Sequence, residues 1–235
     1  MYCSAAVFHI ASYQRALPRV PIRFSIRVDH RPEQIFTLKR ILLQSANLKA
    51  SPNAKGWSRD QRMALSFKLA SSLLQLCLTP WLMNAWMKEE IYFMHLGSSH
   101  TNSDGPLHLE VKHPFMIHTF TKTPERRLPD KRVVKRQMLE LGVHLLDIWH
   151  ETSLENWAAR VGLTIQSSYG SRYDAARKWL SESDTVLVSY WDAVDRCIEC
   201  DFPALSDWQD SAFRKSVCEG VVKPFCHHSC LIRDA

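Results

Sequence analysis

Apolar residues recur along the chain with two different spacings, and each spacing predicts a type of secondary structure. In residues 22–28, IRFSIRV, apolar and polar residues alternate, which predicts a strand with one buried face. Residues 32–45 begin with a proline and carry apolar residues at helical spacing, so we expect one helix there. A polar linker that contains Pro and Gly follows over 45–56.

Longer helical patterns dominate the rest of the chain. Ser58 and Gln61 have the spacing of a capping box, which predicts that a helix starts there. Segments 90–94 and 114–120 are short strand candidates, so we expect a mainly α fold with a minor β part (α+β). The apolar stripes of four predicted helices are Leu65, Leu69, Leu73 and Leu76; Met138, Leu141, Leu145 and Ile148; Leu187, Tyr190, Val194 and Cys197; and Phe213, Val217 and Val221.

The order of these elements suggests three parts. Residues 1–50 form a short N-terminal segment with one strand and one helix, residues 51–225 a helical domain, and residues 226–235 a C-terminal tail. No apolar run approaches the roughly 20 residues that a membrane-spanning helix needs, so no membrane span is expected. The cysteine count of 7 is odd and no secretory signal precedes it, which indicates reduced thiols in an intracellular, cytoplasmic protein.

Four stretches of sequence are similar to a known family. They are LASSLLQLCLTPWLMNAWMKEEIYF (69–93), LELGVHLLDIWHETSLE (139–155), AVDRCIECDF (193–202) and AFRKSVCEGVVKPF (212–225). Together they resemble a family of fungal domains of unknown function, over roughly 35–225. That family is similar to a degenerate protein-kinase C-terminal lobe, and its members often follow a helical domain related to prion-forming and cell-death proteins.

The resemblance can be tested against the chemistry of a kinase. A kinase needs a catalytic-loop aspartate as base, an asparagine and a second aspartate for magnesium, and a lysine with a Gly-rich loop. The resemblance puts Ala85 at the position of the base and Glu90 at that of the asparagine. No glycine precedes Gly56, so the N-terminal quarter contains no Gly-rich loop. Asp104 and Gly105 lie near the spacing of a metal-binding Asp-Phe-Gly, but their polar surroundings favour a plain turn.

The resemblance therefore implies a pseudokinase-like module that has no catalytic activity and no cofactor. It is expected to bind an unknown protein partner, in a context such as fungal self-recognition or cell-death signalling. Trp81 and Trp86 flank the position of the missing base. Because burying large aromatic side chains is favourable, we expect both to pack inward and to close the cleft.

A basic segment over 122–136 supports a second hypothesis. It carries seven basic and two acidic residues, and it is a candidate surface for nucleic acid or an acidic partner. Nucleic acid is not favoured, because no aromatic residues are interleaved for base stacking and no recognised nucleic-acid motif surrounds the segment. A solvated loop that leads into a helix is the alternative interpretation. The candidate contact residues are Arg126, Arg127, Lys131 and Arg132.

Two cysteine pairs near the C-terminus have a spacing that zinc sites also use. Two knuckles could supply four ligands, Cys197, Cys200, Cys226 and Cys230. However, Cys197 lies on the apolar stripe of its helix, and such cysteines are commonly core residues. Reduced core or tail thiols are therefore the favoured interpretation, and zinc is the alternative.

Overall fold

The computed structural model of the chain describes residues 4–7, 35–48, 56–79, 82, 86–94, 114–118, 131–184 and 186–230. Within these ranges no helix has the length and apolar composition needed to cross a bilayer. The expected mainly α fold with a minor β part is confirmed, while the strand expected at 22–28 lies outside the described residues. The elements are the strands β1 (Ser4–Val7), β2 (Ile35–Thr37), β3 (Ile91–Met94) and β4 (Pro114–His118), and the helices α1 (Leu38–Leu48), α2 (Arg59–Leu76), α3 (Lys131–His150), α4 (Leu154–Arg160), α5 (Tyr169–Ser181), α6 (Val188–Glu199), α7 (Ser211–Val217) and α8 (Lys223–Cys230).

The four strands form one sheet in the order β1-β4-β3-β2, and all neighbours are antiparallel. In the centre, Tyr92 of β3 lies opposite Phe115 of β4. At one edge, Ile35 of β2 lies opposite Met94 of β3. The strands expected at 90–94 and 114–120 are confirmed, and the structure shows in addition that they pair with each other. Helix α1 follows β2 directly along the chain.

The helix expected over 32–45 is wrong at its start. Ile35–Thr37 forms the strand β2, and helical structure begins only at Leu38. Two of the three strand residues are β-branched, which favours the extended backbone that β3 pairs with. The Thr37 hydroxyl oxygen then accepts a hydrogen bond from the Arg40 amide at 3.2 Å, in the first turn of α1.

Helix α2 begins where the capping box predicts. The Ser58 hydroxyl accepts from the Gln61 amide at 3.1 Å, and the Gln61 side chain accepts from the Ser58 amide at 2.8 Å. These two bonds satisfy backbone donors that would otherwise lack a partner at the helix start. The predicted stripe is buried at all four positions, Leu65, Leu69, Leu73 and Leu76.

Helix α3 is the most buried helix of the described chain, with every residue from Gln137 to Trp149 buried. It crosses α6 at Gly142, where an added Cβ would lie 2.8 Å from Ile198 Cγ1 and 3.2 Å from Cys197 Cβ. Only a glycine therefore allows this close approach of the two helices. The predicted stripe of Met138, Leu141, Leu145 and Ile148 is confirmed.

Tyr190 connects four helices inside the core. Its hydroxyl donates to the Leu145 carbonyl of α3 and lies 2.7 Å from the Ser66 hydroxyl of α2. Its ring packs against Trp149 and against Phe225 of α8, with centroid distances of 4.6 and 5.0 Å. Because both polar contacts are satisfied, the phenol is buried without an unpaired group. Burial raises the pKa of Tyr190, so this hydroxyl stays protonated.

A buried carboxylate joins the start of α2 to the end of α3. Glu151 adopts a left-handed backbone conformation, with φ of 51°, directly after α3. Its carboxylate accepts from Arg62 at 2.5 Å and from the Trp57 amide at 3.0 Å. Arg62 also donates to the Trp149 carbonyl at 2.9 Å. The left-handed turn is therefore held by a charge-assisted contact between the two helices.

The C-terminal helices close the other side of α2. A π-helical turn at Cys218–Val222 joins α7 to α8, and α8 packs along α2. The predicted stripe residues Phe213, Val217 and Val221 are fully buried. Helix α8 continues to Cys230, across the boundary expected between 225 and 226.

Candidate functional site

The segment that resembles a kinase catalytic loop packs against α3. Trp86 is 2% exposed, so its predicted inward packing is confirmed, while Trp81 and Ala85 lie outside the described residues. The Trp86 carbonyl oxygen lies 2.6 Å from His144 Nε2. A carbonyl can only accept, so Nε2 carries the proton and Nδ1 is free to accept in the neutral ring.

Lys88, two residues further on, has its ammonium group inside the fold. Its side chain is 7% exposed and forms an ion pair with Glu155 of α4. The same Nζ lies 3.9 Å from Oδ2 of Asp147, whose side chain is completely buried. The other oxygen of Asp147 accepts from the Leu154 amide at 2.8 Å and so helps to begin α4. One lysine therefore connects the 86–90 segment to both α3 and α4.

Arg172 of α5 completes this group of charges. Its Nε and Nη2 donate to the two oxygens of Glu140 at 2.6 and 2.8 Å, and its Nη1 donates to Glu155 at 2.8 Å. Burial disfavours the guanidinium cation, but the two carboxylates outweigh it and raise the pKa of Arg172. We call Lys88, Glu140, Asp147, Glu155 and Arg172 the charged cluster.

Among the carboxylates of the charged cluster, Glu155 is held in its ionised form. Burial opposes the charge of Glu155, but Lys88 and Arg172 outweigh this effect and lower the pKa of Glu155 to about 2. A depression of about 250 Å³ opens beside the cluster, with polar lining residues that include Lys39, Ser153 and Asn156. Lys39 forms an ion pair with Glu89 at 3.1 Å, so the ammonium groups at this depression already have carboxylate partners.

The side chains of the charged cluster and His144 link separate elements of the fold to one another. His144 and Asp147 lie within 3.9 Å of each other, which brings a possible acid–base pair together. Both side chains are at most 1% exposed, so the described surroundings leave a substrate no access to them. The arrangement holds the 86–90 segment, α4 and α5 on α3.

The apolar stripes do not predict the charged cluster. The visible signal is the spacing of Glu140, His144 and Asp147, which places three polar residues on one face of the otherwise apolar stretch 138–149 of α3. Their partners Lys88 and Arg172 lie far away in the sequence and only the fold brings them close.

The four candidate zinc ligands lie on α6 and α8 or next to them. Cys197 is fully buried and Cys200 is 8% exposed, and burial raises the pKa of both thiols. Cys226 is partly exposed on α8, and the side chain of Cys230 lies outside the described residues. In the described ranges, no group of three or more His, Cys, Asp or Glu residues has the arrangement of a metal site. Zinc binding stays a prediction.

Of the four candidate contact residues in the basic segment 122–136, the structure describes the last two. Lys131 and Arg132 are exposed in the first turn of α3, while Arg126 and Arg127 lie outside the described residues. Lys135 and Arg136, one turn further along, are exposed as well.

The described fold is thus a mainly α domain with a small antiparallel sheet and a buried charged cluster. Residues 12–228 match the profile of Domain of unknown function (DUF7580), and the chain belongs to this family. The resemblance to a family of unknown function is thereby confirmed, over a longer stretch than the sequence motifs cover. No curated protein and no solved structure matches the chain.

Proposed function

We propose that this chain is a non-catalytic, pseudokinase-like module that acts by binding a protein partner. The observation that carries the proposal is the state of the segment after Ala85. Trp86 fills the space beside α3 and is 2% exposed, and its carbonyl is held by His144 at 2.6 Å. In an active kinase, polar groups around the catalytic loop meet nucleotide and magnesium, whereas here an indole is packed.

The charges of the same segment support the proposal. Lys88 is held by Asp147 and Glu155 and is therefore not available as a cation for a phosphate group. Glu90 is exposed and accepts from the Met87 amide at 3.4 Å, a contact within its own turn. Each charged group of the segment is used to fix the segment itself.

The biological setting of the proposal comes from the family resemblance. Members of the similar fungal family often follow helical domains related to prion-forming and cell-death proteins. We therefore place the module in self-recognition or cell-death signalling, where it would connect an upstream domain to a partner. Fold likeness alone does not determine a function, so the molecular proposal stands on the packed segment.

A nucleotide assay tests the proposal directly. Incubation with radiolabelled ATP and Mg²⁺ or Mn²⁺ should give no turnover above a buffer blank, and ATP should leave the melting temperature unchanged. Turnover that Asp104→Ala abolishes would overturn the proposal. Asp192→Ala is the matched control, because Asp192 is an exposed acid on α6.

A further inference from the structure

The first two turns of α3 carry a dense group of positive charges. Lys131, Arg132, Lys135 and Arg136 are all exposed, and their spacing puts them on one face of the helix. No ion pair between described residues involves any of the four. We call these four residues the basic face.

The basic face works against the stability of its own helix. Lys131 and Lys135 are like charges four residues apart, and so are Arg132 and Arg136, which destabilises a helix by about 0.2–0.5 kcal/mol per pair. The positive end of the helix dipole also disfavours cations here, and the first turn contains no acidic residue. Helix stability therefore does not explain these residues, while an external negative charge would relieve their repulsion.

An exposed leucine lies in the loop that packs beside the basic face. Trp208 of the loop between α6 and α7 donates to the Gln137 side chain at 2.6 Å, one residue after Arg136. At the start of this loop, Cys200 Sγ donates to Ser206 Oγ at 3.5 Å. Leu205 is 70% exposed on this loop.

We propose that the basic face and Leu205 form a docking surface for an acidic protein segment that presents an aliphatic side chain. Four cations that form no ion pair with any described residue supply the charge complementarity, and Leu205 offers the apolar contact. The inference rests on the proposed function as an interaction module and names the chemistry of the partner.

The surroundings favour an acidic peptide over nucleic acid. Asp201 is exposed in the same loop and would repel an extended phosphate backbone that crosses it. The aromatic residues of the loop, Phe202 and Trp208, are buried in the core and so cannot stack on bases. A short acidic segment can pair with the cations and avoid Asp201.

A binding titration with three fluorescent probes tests the surface. The probes are a short peptide in which acidic pairs alternate with single leucines, the same peptide with serine for leucine, and a duplex oligonucleotide. Replacing all four residues of the basic face with Gln should weaken binding of the leucine peptide by about tenfold or more. Each exposed charge pair contributes modestly, but four of them are lost together. Leu205→Ser should weaken binding of the leucine peptide but not binding of the serine peptide or of the duplex.

A matched control removes the same charge elsewhere. Replacing Arg160, Lys178, Lys215 and Lys223 with Gln also lowers the net charge by four, and all four are exposed helix residues. This control should bind the leucine peptide like the wild type. The basic-face variant should melt at the wild-type temperature or above it, which shows that lost binding is not lost folding.

The outcomes separate this inference from the proposed function. If the basic-face variant and the control bind the leucine peptide equally well, the proposed surface is wrong. It is also wrong if the duplex binds more tightly than the leucine peptide and Leu205→Ser does not change duplex binding, a result that would indicate a nucleic-acid surface instead. Either result leaves the non-catalytic module standing. Turnover of ATP overturns the proposed function, whatever the peptides do.

Discussion

Helix α3 has two opposite faces that are buried equally well but by different means. One face, with Met138, Gly142 and Leu145, packs against apolar side chains, including those of α6. The other face carries Glu140, His144 and Asp147, which are at most 3% exposed. Burial of the first face needs only apolar residues of fitting size, whereas burial of the second needs a specific partner for each polar group.

This difference separates two contributions to the fold. The apolar face supplies general stabilisation, since each fully buried large side chain contributes about 1.5–3 kcal/mol. A buried ion pair is weak evidence for stability, because desolvation offsets most of the attraction, but breaking one is costly. We infer that the charged cluster fixes where the 86–90 segment, α4 and α5 lie on α3, and that it does so by excluding arrangements that leave a charge unpaired.

The largest loss of stability is expected when a charge that pairs with the polar face of α3 is removed. Lys88→Met removes the lysine that pairs with the buried carboxylate of Asp147, so we expect the free energy of unfolding to fall by about 3–5 kcal/mol. Urea unfolding followed by circular dichroism measures this change. The control is Lys39→Met, because Lys39 is 51% exposed in an exposed ion pair and should cost less than about 1 kcal/mol.

A double variant sharpens the same test. Lys88→Met combined with Asp147→Asn removes both charges, and the Asn side chain can still accept from the Leu154 amide. It should therefore be more stable than Lys88→Met alone. Near-equal stability of the wild type and Lys88→Met would show that the cluster does not hold the segment.

A smaller effect is expected on the apolar face. Gly142→Ala places a Cβ 2.8 Å from Ile198 Cγ1, so the two helices must move apart, at a cost of about 1–3 kcal/mol. Combining it with Ile198→Ala removes the clashing atom, and the double variant should lose less stability than the sum of the two single variants. Additive losses in chemical denaturation would mean that α3 and α6 do not meet at Gly142.

The two faces also differ in how far sequence reasoning reaches. Apolar periodicity predicts the buried stripes of α2 and α3 correctly because burial by packing depends on local spacing. It does not find the partners of Glu140 or Asp147, because Arg172 and Lys88 come from elements distant in sequence. The strand β2 is missed for a similar reason: its three residues are set by pairing with β3, a contact that a helical pattern does not reveal.

The smallest expected effect concerns the outer edge of the charged cluster. Glu155 has its pKa lowered to about 2, against about 4.3 in an unfolded chain, so its contribution to stability is present above about pH 4.5 and is lost as the pH falls toward 2. Because its side chain is 44% exposed, solvent screening limits that contribution to about 1 kcal/mol. Glu155→Gln should therefore be less stable than the wild type at pH 7, and the difference should shrink at pH 3, in urea titrations at both values. A gap that is constant with pH would mean that the ionised carboxylate contributes nothing. Glu182→Gln, which alters an exposed pair on the far end of α5, should show no such trend.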